Sequence, residues 1–579
     1  MSASTTDHHR VLVVGHGLVG HRFVAELARN AADLQPERLS ITVLGAEPYE
    51  PYNRILLSEV LAGRADLGGI TLPTAPQGVR VLAGHSVASL DRVRRIVVDH
   101  LGFEHPYDTL VLATGAAPRV PPLAGLPDRC DPDDLPPGVR ALRTVDDCRE
   151  LLALAGRSPR PADPPRVVVL GGGLLGLEAA RALAGRGARV AVVHSGSHVL
   201  DRQLDAERGA VLAASLGDLG VTVVRGVRAA GLRRGADGTL VGVELSDGRR
   251  LACDALLLTA GVAPRIELAA TAGLPCEQGI LVGPDLRSPA DPRIAAIGDC
   301  SQTAEGGCPG LLAPGWQQAE RLARAIRSAA STPAPRRAAG TTFGREPDFC
   351  PDASAERAPF GAGGQEVEPK EVVRLKAADL DVVAFGRFPD EATPEESTPV
   401  DPDELTAWNE APPANDAAPS TRPRVLSLHD PAGRRSLRLL VRDGRLAAGI
   451  LVGAGALGAD LVVAYERDSP LPLDPADLLV PMTGRRGGGL GAVSTPANIP
   501  GSATICRCNG VSKAALVEAF EAGERTMPAL SAATRAGTGC GGCKDACQGI
   551  LAWLLEADPA QPTAPAVGGR LLTTETPSA

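Results

Sequence analysis

Two short runs constrain this chain more than anything else in it. Val11-Leu-Val-Val-Gly15-His-Gly17-Leu-Val-Gly20 and Val167-Val-Val-Leu-Gly171-Gly-Gly173-Leu-Leu-Gly176 each read as an apolar strand, a GxGxxG turn and the start of a helix. Glycines at these places permit a tight turn and let backbone N–H groups approach a pyrophosphate, which the helix N-terminus stabilises. GxGxxG alone arises by chance in a chain with 66 glycines and can mark a plain structural turn. The strand before each run and the helix after it select the dinucleotide reading. Two such sites point to two dinucleotides face to face with hydride crossing between them, an arrangement a single-site dehydrogenase does not need.

The surrounding sequence agrees. The first 330 residues alternate apolar β-type runs with Ala-rich helical stretches, as βαβ units do, with a Pro- and Asp-rich connector at Pro118–Pro137. At 579 residues the chain has room for about three to five domains. The fold class expected is α/β, with two Rossmann-like dinucleotide-binding domains and a small helical Cys-rich domain; the insertion of the second domain in the first, and an α+β third domain, are what the family resemblance described below implies. The boundaries expected are 1–125 with 250–330 for the first domain and 126–249 for the second. The third spans 335–480, a Gly-rich linker 481–501, the Cys-rich domain 502–556 and a disordered tail 557–579. Within the third domain, Val372–Gly386 and Arg424–Tyr465 read as strands, with a hairpin turn at Arg442-Asp443-Gly444-Arg445. Segments 331–369 and 389–423 read as long insertions, the second a solvated acidic, Pro-rich stretch without an assignable function.

Charge and hydropathy exclude other classes. The net charge is −9 and no basic run occurs, so binding of nucleic acid by phosphate neutralisation is not expected. The N-terminus, MSASTTDHHRVLVVG, lacks the parts of a secretory signal, and no stretch of about twenty apolar residues occurs. A cytoplasmic location with no membrane contact follows as the expectation. Twelve Cys in such a chain suggest metal or redox chemistry rather than a disulfide framework.

The acids that hold the adenine-side ribose are less regular. Strand Ile41–Leu44 leads to Glu47, which is either the ribose acid of the first site or a solvent-facing loop residue. Strand Val190–Val193 ends on His194, where an NAD-selective site usually carries Asp or Glu, and no Arg cluster adjoins it to grip a 2′-phosphate. NADH and NADPH both stay open. Glu178, His194 and Gly261 complete the second set of candidates.

Two further motifs carry a resemblance. With Tyr107-Asp-Thr-Leu-Val-Leu-Ala-Thr114-Gly115 and Ile297-Gly298-Asp299, the two units resemble the two-dinucleotide flavoprotein disulfide-reductase superfamily. That likeness implies FAD at Gly15, Gly17 and Gly20, and NAD(P)H at Gly171, Gly173 and Gly176. It also implies FAD contacts from Thr114, Gly115, Gly298 and Asp299, against the alternative that Asp299 is a turn or helix-cap acid. Pro51-Tyr-Asn53-Arg54-Ile-Leu-Leu-Ser58-Glu-Val-Leu-Ala-Gly63 is similar to the flavin-contacting segment of the electron-transfer chains of assimilatory nitrite and nitrate reductases. It implies a flavin-side charge from Arg54 and a hydroxyl from Ser58. Ala313-Pro-Gly-Trp316-Gln-Gln318-Ala matches that family too, although Trp316 reads equally as core packing. The superfamily's disulfide reductases carry a CxxxxC pair beside the flavin, yet no Cys precedes Cys130. Dithiol chemistry at the flavin is therefore disfavoured, and electrons need another exit.

The exit lies in Ile505-Cys506-Arg-Cys508-Asn509-Gly-Val-Ser-Lys513 and Thr534-Arg-Ala-Gly-Thr-Gly-Cys540-Gly-Gly-Cys543-Lys544. The spacing is CxC, thirty-one residues, CxxC. Four thiolates suit a [2Fe–2S] cluster, with glycine N–H groups close to sulfur, while zinc is the main alternative. CxC argues against an ordinary zinc ribbon, and the flanking residues resemble the bacterioferritin-associated-ferredoxin-like [2Fe–2S] domain. Cys547 reads as packing on the following helix, and Cys130, Cys148, Cys253, Cys276, Cys300, Cys308 and Cys350 show no ligand pairing.

The resemblance implies an enzyme that takes hydride from NAD(P)H onto FAD and passes single electrons through the cluster. Its client would be a catalytic nitrite or nitrate reductase subunit on a separate chain, because some twenty residues after the module leave no room for a sirohaem domain. The third domain often mediates dimerisation in that superfamily, so a homodimer is a candidate. Alternatives are a reductase for another ferredoxin-linked client or for iron mobilisation, and a redox-sensing interaction protein.

Overall fold

The computed structural model describes residues 9–29, 39–128, 130–155, 163–303, 307–308, 310, 312–331, 372–377, 379–388, 423–471, 479, 496–501, 503–506, 509, 511–537 and 543–558. Nearly all of the expected insertions, linker and tail fall outside these residues. The chain divides into two units, Met1–Leu490 and Gly491–Ala579.

The first unit begins with β1 (His9–Val14), α1 (Leu18–Ala28), β2 (Leu39–Gly45), α2 (Leu57–Leu61) and β3 (Val79–Ala83). An antiparallel meander of β4 (Val87–Asp91), β5 (Ile96–Asp99) and β6 (Glu104–Pro106) leads back into the sheet as β7 (Thr109–Leu112). The chain departs on β8 (Ala116–Pro118) into β9 (Val139–Ala141), α3 (Val145–Ala155), β10 (Arg166–Leu170), α4 (Leu174–Gly185), β11 (Arg189–His194), α5 (Ala206–Asp218) and β12 (Val221–Arg225). A small antiparallel sheet of β13 (Ala229–Arg234), β14 (Leu240–Leu245) and β15 (Arg250–Ala252) precedes β16 (Ala255–Leu258). The second domain is thus a parallel sheet of order β12-β11-β10-β16-β9. Because β16 pairs with β10, that domain runs to Leu258, beyond the boundary at 249 expected from the sequence.

β17 (Val262–Pro264) returns antiparallel to β8, so the two crossings between domains brace one another. α6 (Glu267–Thr271), β18 (Ile280–Val282), β19 (Arg287–Ser288), β20 (Asp291–Ala296), β21 (Ser301–Thr303) and α7 (Leu312–Ser331) then complete the first domain. Its sheet has the order β19-β20-β7-β1-β2-β3, and α7 packs beside α1. Within β1, β7, β10 and β16, Val11–Val14, Leu110–Leu112, Val167–Leu170 and Ala255–Leu258 are unbroken aliphatic runs rather than alternating ones, as strands covered on both faces must be. Val13, Val43, Leu110, Val169 and Leu257 are fully buried, each such side chain contributing about 1.5–3 kcal/mol relative to exposure.

The third domain is an antiparallel sheet of β22 (Val372–Arg374), β23 (Val382–Gly386), β24 (Arg424–Asp430), β25 (Arg435–Arg442) and β26 (Arg445–Val452), in the order β22-β23-β26-β25-β24. The turn between β25 and β26 puts Asp443 and Gly444 both at positive φ (51° and 68°), the hairpin expected from the sequence. The strand reading through Tyr465 is corrected: Ala456–Arg467 is helix α8. Leu457, Leu461 and Tyr465 recur every four residues and bury together, a helical and not an alternating pattern. Arg208 of α5, buried and ion-paired to Asp205 at 2.6 Å, donates from Nη2 to Leu437 O at 3.1 Å and ties this sheet to the second domain.

The second unit pairs β27 (Thr504–Cys506) with β28 (Val511–Ser512) and adds α9 (Lys513–Glu521), α10 (Met527–Thr534) and α11 (Lys544–Ala557). Ser512 and Thr526 cap α9 and α10 by accepting from Ala515 N and Ala529 N at 3.2 and 3.3 Å.

Candidate cofactor sites

The first glycine set works by close approach. Gly15 adopts φ +108°, and a Cβ there would stand 2.2 Å from Ala113 O; one on Gly20 would stand 2.1 Å from Gly15 O. No side chain fits, so the turn, α1 and the Thr114 segment close on one another at the carboxyl edge of the sheet, where open α/β sheets bind ligands. A Cβ on Gly17 would lie 3.7 Å from Arg54 Nη2, which places that guanidinium at the α1 N-terminus. Gly298 packs against Val19 in the first turn of α1, and its N–H donates to Gln318 Oε1 at 2.8 Å.

Around this cradle the candidate FAD residues converge. Arg54 Nη2 bonds Glu47 Oε1 at 3.0 Å, and Tyr52 Oη donates to Glu47 Oε2 at 2.6 Å. Glu47 is therefore a fixed residue and not a loose surface acid. Thr114 Oγ1 donates to Arg265 O at 2.9 Å, and Gly115 has φ +69°. Sequence reasoning missed Arg143, in the loop between β9 and α3. Its Nη2 approaches Asp299 Oδ2 at 3.3 Å, its Nε donates to Ala116 O at 3.1 Å, and its own carbonyl accepts from Arg54 Nη1 at 3.4 Å. Burial, with Arg54 beside it, pulls the Arg143 guanidinium below its ordinary pKa despite Asp299. Two guanidiniums this close at a helix N-terminus fit a pyrophosphate. Nothing in the local sequence marks Arg143, since Ala141-Leu-Arg143-Thr reads as an ordinary strand end.

The second set repeats the geometry. Gly171 has φ +121° and a Cβ there would meet Thr259 O at 2.4 Å, while one on Gly176 would meet Gly171 O at 2.0 Å. Around Gly173 the space is open. His194 Nδ1 accepts from Gly172 N at 3.2 Å, leaving Nε2 to face Asp201 Oδ2 at 3.2 Å. Nε2 is close to that carboxylate without forming a hydrogen bond to it. Asp201 thus brings a carboxylate beside the end of β11, where the sequence itself has no acid. Gly261, at φ +94°, lies on the crossing beside β8, its carbonyl accepting from Arg119 N at 3.0 Å.

Ser58 and Glu178, assigned from the sequence to different cofactors, meet directly. Ser58 Oγ donates to Glu178 Oε2 at 2.6 Å, and Lys376 N donates to Oε1 at 2.9 Å. Burial pushes the Glu178 carboxyl up, against the opposing influence of Lys376 and Ser58. Burial pushes the Cys148 thiol up to about 11 and raises that of Cys300 as well, which disfavours their thiolates.

In the second unit Cys506 and Cys543 are buried, as is Cys547 one turn along α11. The Cys543 thiol interacts with Cys506 and Cys547, and these contacts with burial push it far above the ordinary thiol range, whereas the same contact draws Cys547 down. Adjacent buried sulfurs cannot all ionise without a cation among them, so the donor set fits a metal cluster. Asn509 Nδ2 reaches Cys506 Sγ at 3.8 Å and Arg535 O at 2.6 Å, linking the two cysteine segments. Cys508 and Cys540 lie outside the described residues.

Known proteins place the whole arrangement. Residues 9–329 match the pyridine nucleotide-disulphide oxidoreductase family, and residues 504–553 match the BFD-like [2Fe-2S] binding domain. The nitrite reductase [NAD(P)H] large subunit of Klebsiella oxytoca is 31% identical over 94% of this chain and 49% of its own length. The assimilatory nitrate reductase electron transfer subunit of Bacillus subtilis is 27% identical over 96% of this chain and 61% of its own length. The chain thus spans about half to three fifths of these relatives. Among solved structures, the covalent putidaredoxin reductase–putidaredoxin complex superposes with a TM-score of 0.57 at 21% identity, covering 81% of this chain and 95% of that one. Among the described residues no helix is long and apolar enough to cross a membrane. The cofactors that go with these matches are FAD, NAD(P)H and a [2Fe–2S] cluster. The chain belongs to the pyridine nucleotide-disulphide oxidoreductase family.

Proposed function

We propose that this chain carries electrons from NAD(P)H to a separate catalytic subunit of an assimilatory nitrite or nitrate reductase, in the cytoplasm. The observation that carries the reading is the presence of two glycine cradles closed by backbone contact in one unit and a buried sulfur cluster in the other. When bound, FAD and the cluster supply the exchange between a two-electron donor and a one-electron acceptor.

The chain's own residues do the rest. Gly15, Gly17, Gly20, Thr114, Gly115, Gly298 and Asp299 shape the FAD site, with Arg54 and Arg143 neutralising its pyrophosphate and Glu47 orienting its ribose. Gly171, Gly173, Gly176, His194 and Gly261 shape the nicotinamide dinucleotide site. Ser58 and Glu178 hold the two domains in one relative position. Cys506, Cys508, Cys540 and Cys543 hold the cluster. The name of the Bacillus subtilis relative, an electron transfer subunit, supports a client on another chain.

The test is anaerobic stopped-flow spectroscopy of holoprotein and of its Cys506→Ser and Cys540→Ser variants. Flavin bleaching by NAD(P)H should keep its wild-type rate, while reduction of a one-electron acceptor protein should fall at least about 100-fold. Unimpaired acceptor reduction would refute the exit. Reconstitution with a nitrite or nitrate reductase catalytic subunit then decides the client. A second client reading has one observation in its favour: a probable ferredoxin reductase of Castellaniella defragrans is 34% identical over 297 residues. Faster turnover with an isolated ferredoxin than with either reductase would select it.

A further inference from the structure

Outside both cofactor sites, three metal-ligating side chains converge in the meander of the first domain. His85 Nδ1 and His105 Nε2 both lie on Asp99 Oδ2, at 2.7 and 2.9 Å. All three donor atoms fall within 4.8 Å of one another. We propose that His85, Asp99 and His105 form a binding site for a divalent transition ion of the zinc class.

The site is built rather than accidental. Asp99 Oδ1 accepts from Leu101 N at 3.0 Å and Phe103 N at 2.9 Å, which fixes the carboxylate and turns Oδ2 toward the imidazoles. Asp99 ends β5, His105 sits in β6 opposite Val97, and His85 precedes β4, so three backbone-paired segments each deliver one ligand. The His85 backbone is pinned as well, its N–H donating to Gly45 O at 2.8 Å. The carboxylate is sealed from water, whereas the His85 and His105 side chains remain 22% and 11% exposed. An ion can therefore enter from solvent and keep a water in the remaining position.

The ligand chemistry selects the ion class. Two neutral imidazoles and one carboxylate suit Zn²⁺ and neighbouring first-row ions, and not the all-oxygen shells of Ca²⁺ or Mg²⁺. Bonds of about 2.0 Å at tetrahedral angles separate donor atoms by roughly 3.3 Å. The present 2.7 and 2.9 Å spacings to Asp99 Oδ2 fall about half an ångström short of that value, and the two imidazole nitrogens lie within 4.8 Å of each other, so small χ rotations bring the three donors toward it. Each imidazole offers the ion the lone pair of the nitrogen that faces Asp99, its proton held on the other ring nitrogen by tautomer exchange through solvent, so both rings bind as neutral ligands. Gly84 N also donates to Glu47 O at 3.0 Å, so ligation would stiffen the segment carrying Glu47.

The test uses tag-free holoprotein, with FAD and cluster in place, stripped of loose ions and titrated with Zn²⁺ by calorimetry. One ion per chain should bind, and His85→Gln and His105→Gln should each weaken it at least about 10-fold while retaining FAD and NAD(P)H-driven dye reduction. Zinc K-edge absorption on the unsubstituted protein gives an answer that does not depend on how the variants fold. A shell of N and O at about 2.0–2.1 Å with imidazole scattering supports the site, and sulfur at about 2.3 Å assigns the ion to cysteines and overturns it. Affinity weaker than about 1 mM, or unchanged in both variants, also overturns it.

Discussion

Ser58 of the first domain donates to Glu178 of the second across 2.6 Å, in a bond buried from solvent on both sides. The same carboxylate accepts from Lys376 N of the third domain at 2.9 Å. A single acid thus gathers the three domains of the first unit, two residues beyond the last glycine of the second cradle.

Ser58→Ala leaves that carboxylate one partner short in a dry place. The expected destabilisation is about 1–3 kcal/mol, measured by urea unfolding followed through flavin fluorescence. Glu178→Gln should cost less, because the amide still accepts from Lys376 N and can donate to Ser58 Oγ. The sign of the pH dependence follows from burial raising the Glu178 pKa. Its contribution is full below the unfolded carboxylate value of about 4.3 and is lost as pH rises through the higher folded value. Glu178→Gln should therefore gain stability relative to wild type as pH rises. A gap between the two proteins that does not change with pH would contradict this.

Arg143 and Arg54 face one anion site, and their loss should read as loss of FAD. Arg143→Ala removes hydrogen bonds to a charged group worth about 1.5–3 kcal/mol, so FAD affinity should drop roughly 10- to 150-fold. Arg54→Ala should act similarly and also leave Glu47 held by the Tyr52 hydroxyl without its guanidinium partner. Arg143→Lys should restore only part of the affinity, since a point charge cannot keep the Ala116 O and Asp299 contacts together. Fluorescence of released FAD measures all three, and unchanged retention in Arg143→Ala would remove it from the site.

These residues show where the sequence was readable. The strand–glycine–helix runs at Gly15 and Gly171 dictate their own close contacts, because only a missing Cβ tolerates a carbonyl 2.2–2.4 Å from where it would stand. Local spacing carries that information. Arg143 and Asp201 become visible only when β9 joins the second sheet and the loop after β11 folds back, and no local pattern encodes either event. For the same reason the strand LLL at 256–258 gave no sign of which sheet it would enter. The His85–Asp99–His105 group was illegible too, as its members gain meaning only through the pairing of β4, β5 and β6.

Asp201 bears on which nicotinamide cofactor is used. Its carboxylate stands 3.2 Å from His194 Nε2, and a Cβ on Gly196 would lie 2.3 Å from Asp201 Oδ2. An acid beside the end of β11 would repel a 2′-phosphate bound there. NADH should therefore be preferred by kcat/KM at least about 10-fold, the cost of a like-charge contact. Asp201→Asn should narrow that ratio by about 5-fold or more, through NADPH and not through NADH. Steady-state kinetics with a dye acceptor read both numbers, and an unaltered ratio would exclude Asp201 from selection.

Cys547 tests how the cluster is held. Its thiol touches that of Cys543 inside the module, one helical turn from a proposed ligand. Cys506→Ser should abolish the [2Fe–2S] signal, because Cys506, buried at the end of β27, is one of the four proposed ligands. Cys547→Ser should instead keep about two iron atoms per chain if, as proposed, the CxC and CxxC pairs supply the four thiolates. A changed hydrogen bond to a ligand sulfur should still shift the reduction potential. Iron analysis with EPR of the dithionite-reduced protein measures occupancy, and redox titration measures the shift. Loss of iron in Cys547→Ser with retention in Cys540→Ser would reassign the fourth ligand to α11.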